Sequence, residues 1–415
     1  MTNDLDSTPP ARMRIWRHRD LRVAVAGRTI SVLGNVFTLF ALTIRIHDAG
    51  GGPGGIAVMM IAFAAPSVLL MGLAGHLADH LDSRTILVTA CAVQAAAVSL
   101  LAMTSTLWLT YLLVVTLQVG QAFAGPTWQA LIPQIVESDE LGRAVSAQQS
   151  LDSGVRVTGA ALAGVVVGAW GTSVAMWVDA GTFVLLLVAA VAIRTRRRAG
   201  SSPLRMVSVV RSVWSMEGLA ILRRDRLVFT LFSFLIPFAF VFEAVNVAEV
   251  FLVRDSLAAS TTAFGVVQAL SGIGAVLGAW AAGRAKDNAQ RVRFLVGSMA
   301  GSAIFVVVAG SAGNLYVLGG SFALIGLSHM VSIAALWPML TLRTAEEHRG
   351  KVFAAATGVI TAATVLADGA GGAVISFIGP REAFIGGGLL DLAIVVALFL
   401  TLRARKLTSR RATPA

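Results

Sequence analysis

Cysteine occurs once in this chain, at Cys91, so no disulfide framework can form within it. Charge is scarce as well. Only 13% of residues are Asp, Glu, Lys or Arg, about half the roughly 25% of soluble domains, and that shortage excludes an ordinary water-soluble fold. The stretch Met1 to Arg22 contains no apolar run, which predicts a polar, basic tail and no cleavable signal peptide. Also missing are the patterns of common chemistries: there is no HExxH, no CxxC, no glycine-rich phosphate loop and no convincing catalytic acid pair. An enzyme is therefore not expected, and neither is a metal or an organic cofactor.

What the chain has in excess is apolar sequence, 56% of it, with a mean hydropathy of +0.78. Runs near 20 residues, enough to cross about 30 Å of hydrocarbon, follow one another with few gaps. Twelve spans are predicted, at 23–46, 55–77, 85–104, 107–130, 146–169, 172–193, 227–252, 262–283, 292–311, 315–338, 352–378 and 383–402. The expected fold is an all-α polytopic membrane protein. Its predicted parts are a tail (1–22), a six-helix bundle (23–193), a linker with an amphipathic helix (194–226), a second six-helix bundle (227–402) and a short tail (403–415).

The formal charge of +11 raises the question of nucleic acid, and the location of the basic residues answers it. Alternating the loops puts 28 Lys and Arg on one side, two on the other (Arg254, Arg381) and three inside spans (Arg28, Arg45, Arg156). Such asymmetry marks the cytoplasmic side of a membrane protein and places both termini there. No basic stripe interleaved with aromatics exists, so nucleic acid is not an expected partner. The bilayer is.

A decamer between spans 2 and 3, Gly-His-Leu-Ala-Asp-His-Leu-Asp-Ser-Arg, runs from Gly75 to Arg84 and includes Asp79. It recurs once, as Gly283-Arg-Ala-Lys-Asp287 followed by Arg291. The two glycines are 208 positions apart (283 minus 75), about half the chain, and a second loop pair, Arg143 and Arg349, is 206 apart. A duplicated six-span unit explains both.

Gly75, Leu77, Ala78, Asp79 and Arg84 resemble the loop signature of the major facilitator superfamily. Asp82 in place of that signature's second glycine is similar to its drug, macrolide and siderophore exporter branch, which includes enterobactin exporters. Ser31-Val-Leu-Gly34-Asn35, Phe123-Ala-Gly-Pro126 and Leu131-Ile-Pro133 look like the same branch. The resemblance implies two six-helix bundles, with spans 1, 4, 7 and 10 lining a central cavity. Asn35, Thr38, Gln118, Phe240, Glu243, Asn246, Phe322 and His329 would then face it. Gln118 stands where many proton-coupled antiporters carry arginine, and Gly159-Ala160-Ala-Leu-Ala-Gly164 resembles an antiporter motif with its proline replaced.

Intramembrane charge narrows the candidates further, because a charged side chain at mid-bilayer costs on the order of 3 kcal/mol on insertion scales. Glu243 and Asp368 are acids deep in spans 7 and 11, His329 can change charge near neutral pH, and Arg28 is a possible counter-charge for Glu243. These four are the proton-coupling candidates. Asp152 and Arg156, four apart on span 5, are expected to pair locally. Gly75, Asp79, Arg84, Arg143, Gly159, Gly164, Gly283, Asp287, Arg291 and Arg349 are the expected gate residues. The expected activity is proton-coupled export of a lipophilic or cationic small molecule by a monomer. Import of a small metabolite, or a receptor without transport, are the alternatives.

Overall fold

A computed structural model of the chain describes residues 15–137, 140–195, 216–284, 287–345 and 348–404. Twelve helices in it are long and apolar enough to cross a bilayer. They are α1 (Arg19–Asp48), α2 (Gly52–His80), α3 (Ser83–Met103), α4 (Leu107–Ile135), α5 (Leu141–Trp170), α6 (Thr172–Ala192), α7 (Arg226–Asn246), α8 (Thr261–Ala282), α9 (Asn288–Gly310), α10 (Leu315–Arg343), α11 (Arg349–Ile378) and α12 (Pro380–Ala404). The shortest, of 21 residues, is about 32 Å long at 1.5 Å per residue, just the hydrocarbon thickness. A short helix, Met216–Arg224, precedes α7 within the predicted linker. The rest of that linker's amphipathic stretch, residues 196–215, lies outside the described residues.

Short polar side chains start several of these helices by accepting hydrogen bonds from their first free amides. Asp82 caps α3, Asp225 caps α7, Ser260 caps α8, Asp287 caps α9 and Asn314 caps α10. Two helix junctions need only one residue each. Gly171 and Gly379, 208 apart (379 minus 171), turn the chain at φ +84° and +87°, a left-handed backbone that glycine adopts without a Cβ clash.

Prolines did not end helices where the sequence suggested. The predicted span 4 stops at 130 and span 10 at 338, yet α4 runs through Pro126 and Pro133 to Ile135, and α10 through Pro338 to Arg343. Packed neighbours and nearby polar groups tolerate the missing amide in a membrane helix. Span 7 differs the other way. It was expected to reach 252, but α7 ends at Asn246, and the chain continues through Glu249–Phe251 into a π turn, Leu252–Ser256.

Packing repeats between the halves. In the first, α1 lies against α5 and α6, α2 against α4, and α3 against α4 and α6; in the second, α7 lies against α11 and α12, α8 against α10, and α9 against α10 and α12. The bundles meet through α2 with α11 and α5 with α8. One apolar cluster takes in both halves and draws its second-half members, such as Phe251, Phe264, Phe322 and Phe384, from helix ends away from the termini. Toward the termini the second half has its own cluster, from Leu222 to Leu402. The bundles are thus joined across the face opposite the termini. Around the outside, Leu69, Trp108, Trp170, Trp280 and Phe377 are exposed, as befits a surface that meets lipid.

Candidate functional site

The site begins at the end of α7, where three polar side chains come within two turns. The Asn246 amide donates to Glu243 Oε2 at 3.1 Å. After the helix breaks, Glu249 is buried at 9% exposure, with Oε2 accepting from Gln268 of α8 at 3.1 Å and Oε1 without a partner. A cavity of about 220 Å³ adjoins them. Phe40, Thr43 and Met60 line it from the first half, and Asn246, Glu249, Phe264 and Gln268 from the second. Phe40 and Phe264 bridge the halves, with ring centroids 5.1 Å apart.

On the other side of α7, α11 approaches because Gly371 presents no side chain to Ala244. Asp368 lies buried on α11, three residues before that contact. His329 of α10 stacks on Phe242, centroids 5.1 Å apart and rings within 14° of parallel. Two acids, a histidine and an aromatic face are thus gathered on and around α7, whose end borders a cavity between the two bundles. This arrangement can hold a proton or a cationic group, and it has no nucleophile and base in triad geometry.

Small residues and ion pairs seal the face above the cavity. Gly164 of α5 lies against the backbone of Gly265 of α8, Gly168 against Thr262, and Gly372 of α11 against Ala57 and the Pro53 carbonyl of α2. Farther out, His47 Nε2 is 2.8 Å from Asp255 Oδ1, and Arg254 Nη2 is 3.3 Å from Asp48 Oδ1. In each pair one half supplies the base and the other the acid. Sequence reasoning predicted neither pair, because the two cross in chain order and no single repeat length relates both.

Several predicted residues serve the scaffold instead. Thr38 is fully buried and donates to Asp179 of α6 at 2.5 Å, so it ties two helices of one bundle and does not line the cavity. Phe322 is buried against Phe384 of α12, inside the core. Gln118 is buried in α4, and Asn35 is half-buried on α1, its side chain making no hydrogen bond among the described residues. Phe240 is half-buried; its neighbour Phe242 is the one that meets His329. Arg28 pairs with Asp152 of α5 at 3.7 Å and not with Glu243. Asp152 also accepts from Thr29 at 3.3 Å and makes no ion pair with Arg156, because reaching α1 buries it between helices while Arg156 stays exposed.

The expected clamp near the termini is also rearranged. Arg84 donates to the Ile193 carbonyl at the end of α6, capping a helix of its own half. Asp287 caps α9 through the Gln290 amide at 2.7 Å, the role Asp82 plays for α3, and makes no hydrogen bond or ion pair to the first half among the described residues. Gly159 packs on Leu33 and Val36 of α1, within one bundle, and Gly283 ends α8 against that helix's own Ala279 and Trp280 carbonyls. Arg143 and Arg291 are both partnered. The surroundings of Gly75, Asp79 and Arg349 lie outside the described residues. A further buried acid, Asp391 of α12 with Oδ1 unpartnered, escaped the sequence reading, although it is a lone carboxylate in an apolar run.

The family model described as Major Facilitator Superfamily matches residues 24–284. An uncharacterized MFS-type transporter, YfiS of Bacillus subtilis (strain 168), is 25% identical over 409 residues, 95% of each chain. Macrolide efflux protein A of Streptococcus pyogenes is 19% identical over 92% of this chain and 96% of that one. Among solved structures, the nucleoside transporter NupG has 11% identity and a TM-score of 0.70, covering 93% of this chain and 99% of the other.

Proposed function

Because this chain belongs to the Major Facilitator Superfamily, with more than half its length matched, we propose that it is a proton-driven exporter of lipophilic or cationic small molecules. It is a multi-pass membrane transporter; what it moves, in which direction and with what coupling are the parts we add. The observation that carries the proposal is an apolar, aromatic cavity shared by both bundles and edged by Asn246 and the buried Glu249, with Glu243 hydrogen-bonded to Asn246 and Asp368 buried on the adjoining α11. A carboxylate in an apolar setting costs least when it carries a proton. Rocking the bundles changes which side can supply or take that proton. The similarity to a macrolide efflux protein supports outward movement. The concentration of Lys and Arg in alternate loops supports cytoplasmic termini. We further propose that the chain acts as a monomer.

Purified protein in liposomes, with an imposed pH gradient, tests this reading with a fluorescent lipophilic cation and a macrolide as solutes. Uphill movement of either against the proton flow is expected, lost when the gradient is collapsed by an ionophore. Movement that ignores the gradient, or proceeds only with the proton flow, would sink it.

A further inference from the structure

Both ring nitrogens of His47 face carboxylate oxygens: Nδ1 lies 3.0 Å from Asp48 Oδ1, and Nε2 lies 2.8 Å from Asp255 Oδ1. A neutral imidazole has one donor and one acceptor nitrogen, and an ionised carboxylate can only accept. The two hydrogen bonds form together when the ring carries a second proton. Asp48 and Asp255 are about half exposed, with side chains 51% and 56% accessible, while the ring is 13% accessible and tilted over Phe251 at 5.4 Å. The proton's source is therefore water on the face away from the termini. The other charges nearby are accounted for. Arg254 engages Asp48, and Arg45, one half-turn back on α1, is turned to the Leu101 and Thr104 carbonyls and to Thr172 and Ser173.

We propose that His47 is a proton-binding site that latches this face shut: closing the halves brings Asp255 to the ring and takes up one proton, and opening them releases it. His47 and Asp48 belong to the first half and Arg254 and Asp255 to the second, so parting the bundles breaks both pairs. Arg254 with Asp48 supplies attraction from a guanidinium, and His47 with Asp255 adds a hydrogen bond that depends on the ring's second proton. The latch is separate from Glu243 and Asp368 and holds whether the solute leaves or enters. If one proton is gained on closing, the ratio of closed to open protein rises by at most about tenfold for each unit of pH decrease.

The test places spin labels at the exposed repeat mates Ser105 and Gly313, as Ser105→Cys and Gly313→Cys in a Cys91→Ala background. Distances across the face are then read from the full-length protein in nanodiscs between pH 5.5 and 8.5. The short-distance population of the otherwise unaltered protein is expected to grow as pH falls. His47→Gln should lose that response and favour the longer distance, and His47→Arg, permanently charged, should favour the short distance at every pH. The Arg variant also shows that loss in the Gln variant is not misfolding. A distribution that does not move with pH, or a His47→Gln protein that titrates like its parent, overturns the proposal. No solute is needed, so the export reading can fail while this one stands, and the reverse.

Discussion

Gly164 of α5 and Gly265 of α8 meet backbone to backbone: a Cβ built on either would lie 2.5 Å from the other's Cα. Neither neighbour is a flexible side chain that could swing aside. Closure of the face opposite the termini thus requires glycine at both positions, one in each bundle.

Gly164→Val or Gly265→Val should accordingly hold the bundles apart on that face. Overpacking costs typically about 1–3 kcal/mol, which shifts a two-state balance by about 5- to 150-fold. The expected outcome is a loss of steady-state transport of tenfold or more with normal membrane insertion, together with faster labelling of a cysteine placed at Thr43 in the cavity wall. Unchanged labelling would show that the two helices separate without regard to this contact.

Glu243→Gln removes the acid while keeping its shape and its contact with Asn246. Proton-driven accumulation should disappear, and solute-for-solute exchange, which needs no net proton movement, should persist. Asp368→Asn should behave alike. The measurement is the dependence of transport on the pH gradient in liposomes. Either variant still coupled would remove that acid from the mechanism.

Thr38→Val leaves Asp179 with Thr182 as its remaining side-chain donor. In membrane proteins such interhelical bonds are worth about 0.6 kcal/mol on average and about 1.7 at most. A modest fall in Tm in detergent is therefore expected, with solute affinity unchanged. A large change in affinity would return Thr38 to the cavity, where the sequence had put it.

Arg45→Lys should be more damaging than its chemistry suggests. The Arg45 guanidinium spans two carbonyls at the end of α3 and two hydroxyls at the start of α6, and an ammonium cannot reproduce that fork. Arg381 binds the corresponding carbonyls, Gly310 and Ala312, at the end of α9. Loss of hydrogen bonds to a charged group costs about 1.5–3 kcal/mol each, so thermal unfolding should come several degrees earlier. Equal Tm values for the two proteins would make the fork dispensable.

The fold was legible because each of its causes is local or periodic in the sequence. A run of apolar side chains must leave water whatever its neighbours are, lysines and arginines must stay out of the hydrocarbon, and a duplicated unit repeats its turn residues at one spacing. Twelve spans and two matched bundles follow from these alone. Only the tertiary structure decided which face of each helix meets which partner. It moved Thr38 and Phe322 from the cavity to the core, gave Arg28 to Asp152, turned Asp287 into a helix cap, and brought Glu249 with Gln268 to the cavity's edge. The reason is geometric. A polar residue in an apolar run can be satisfied by any helix within reach, and distances along the chain do not say which one arrives.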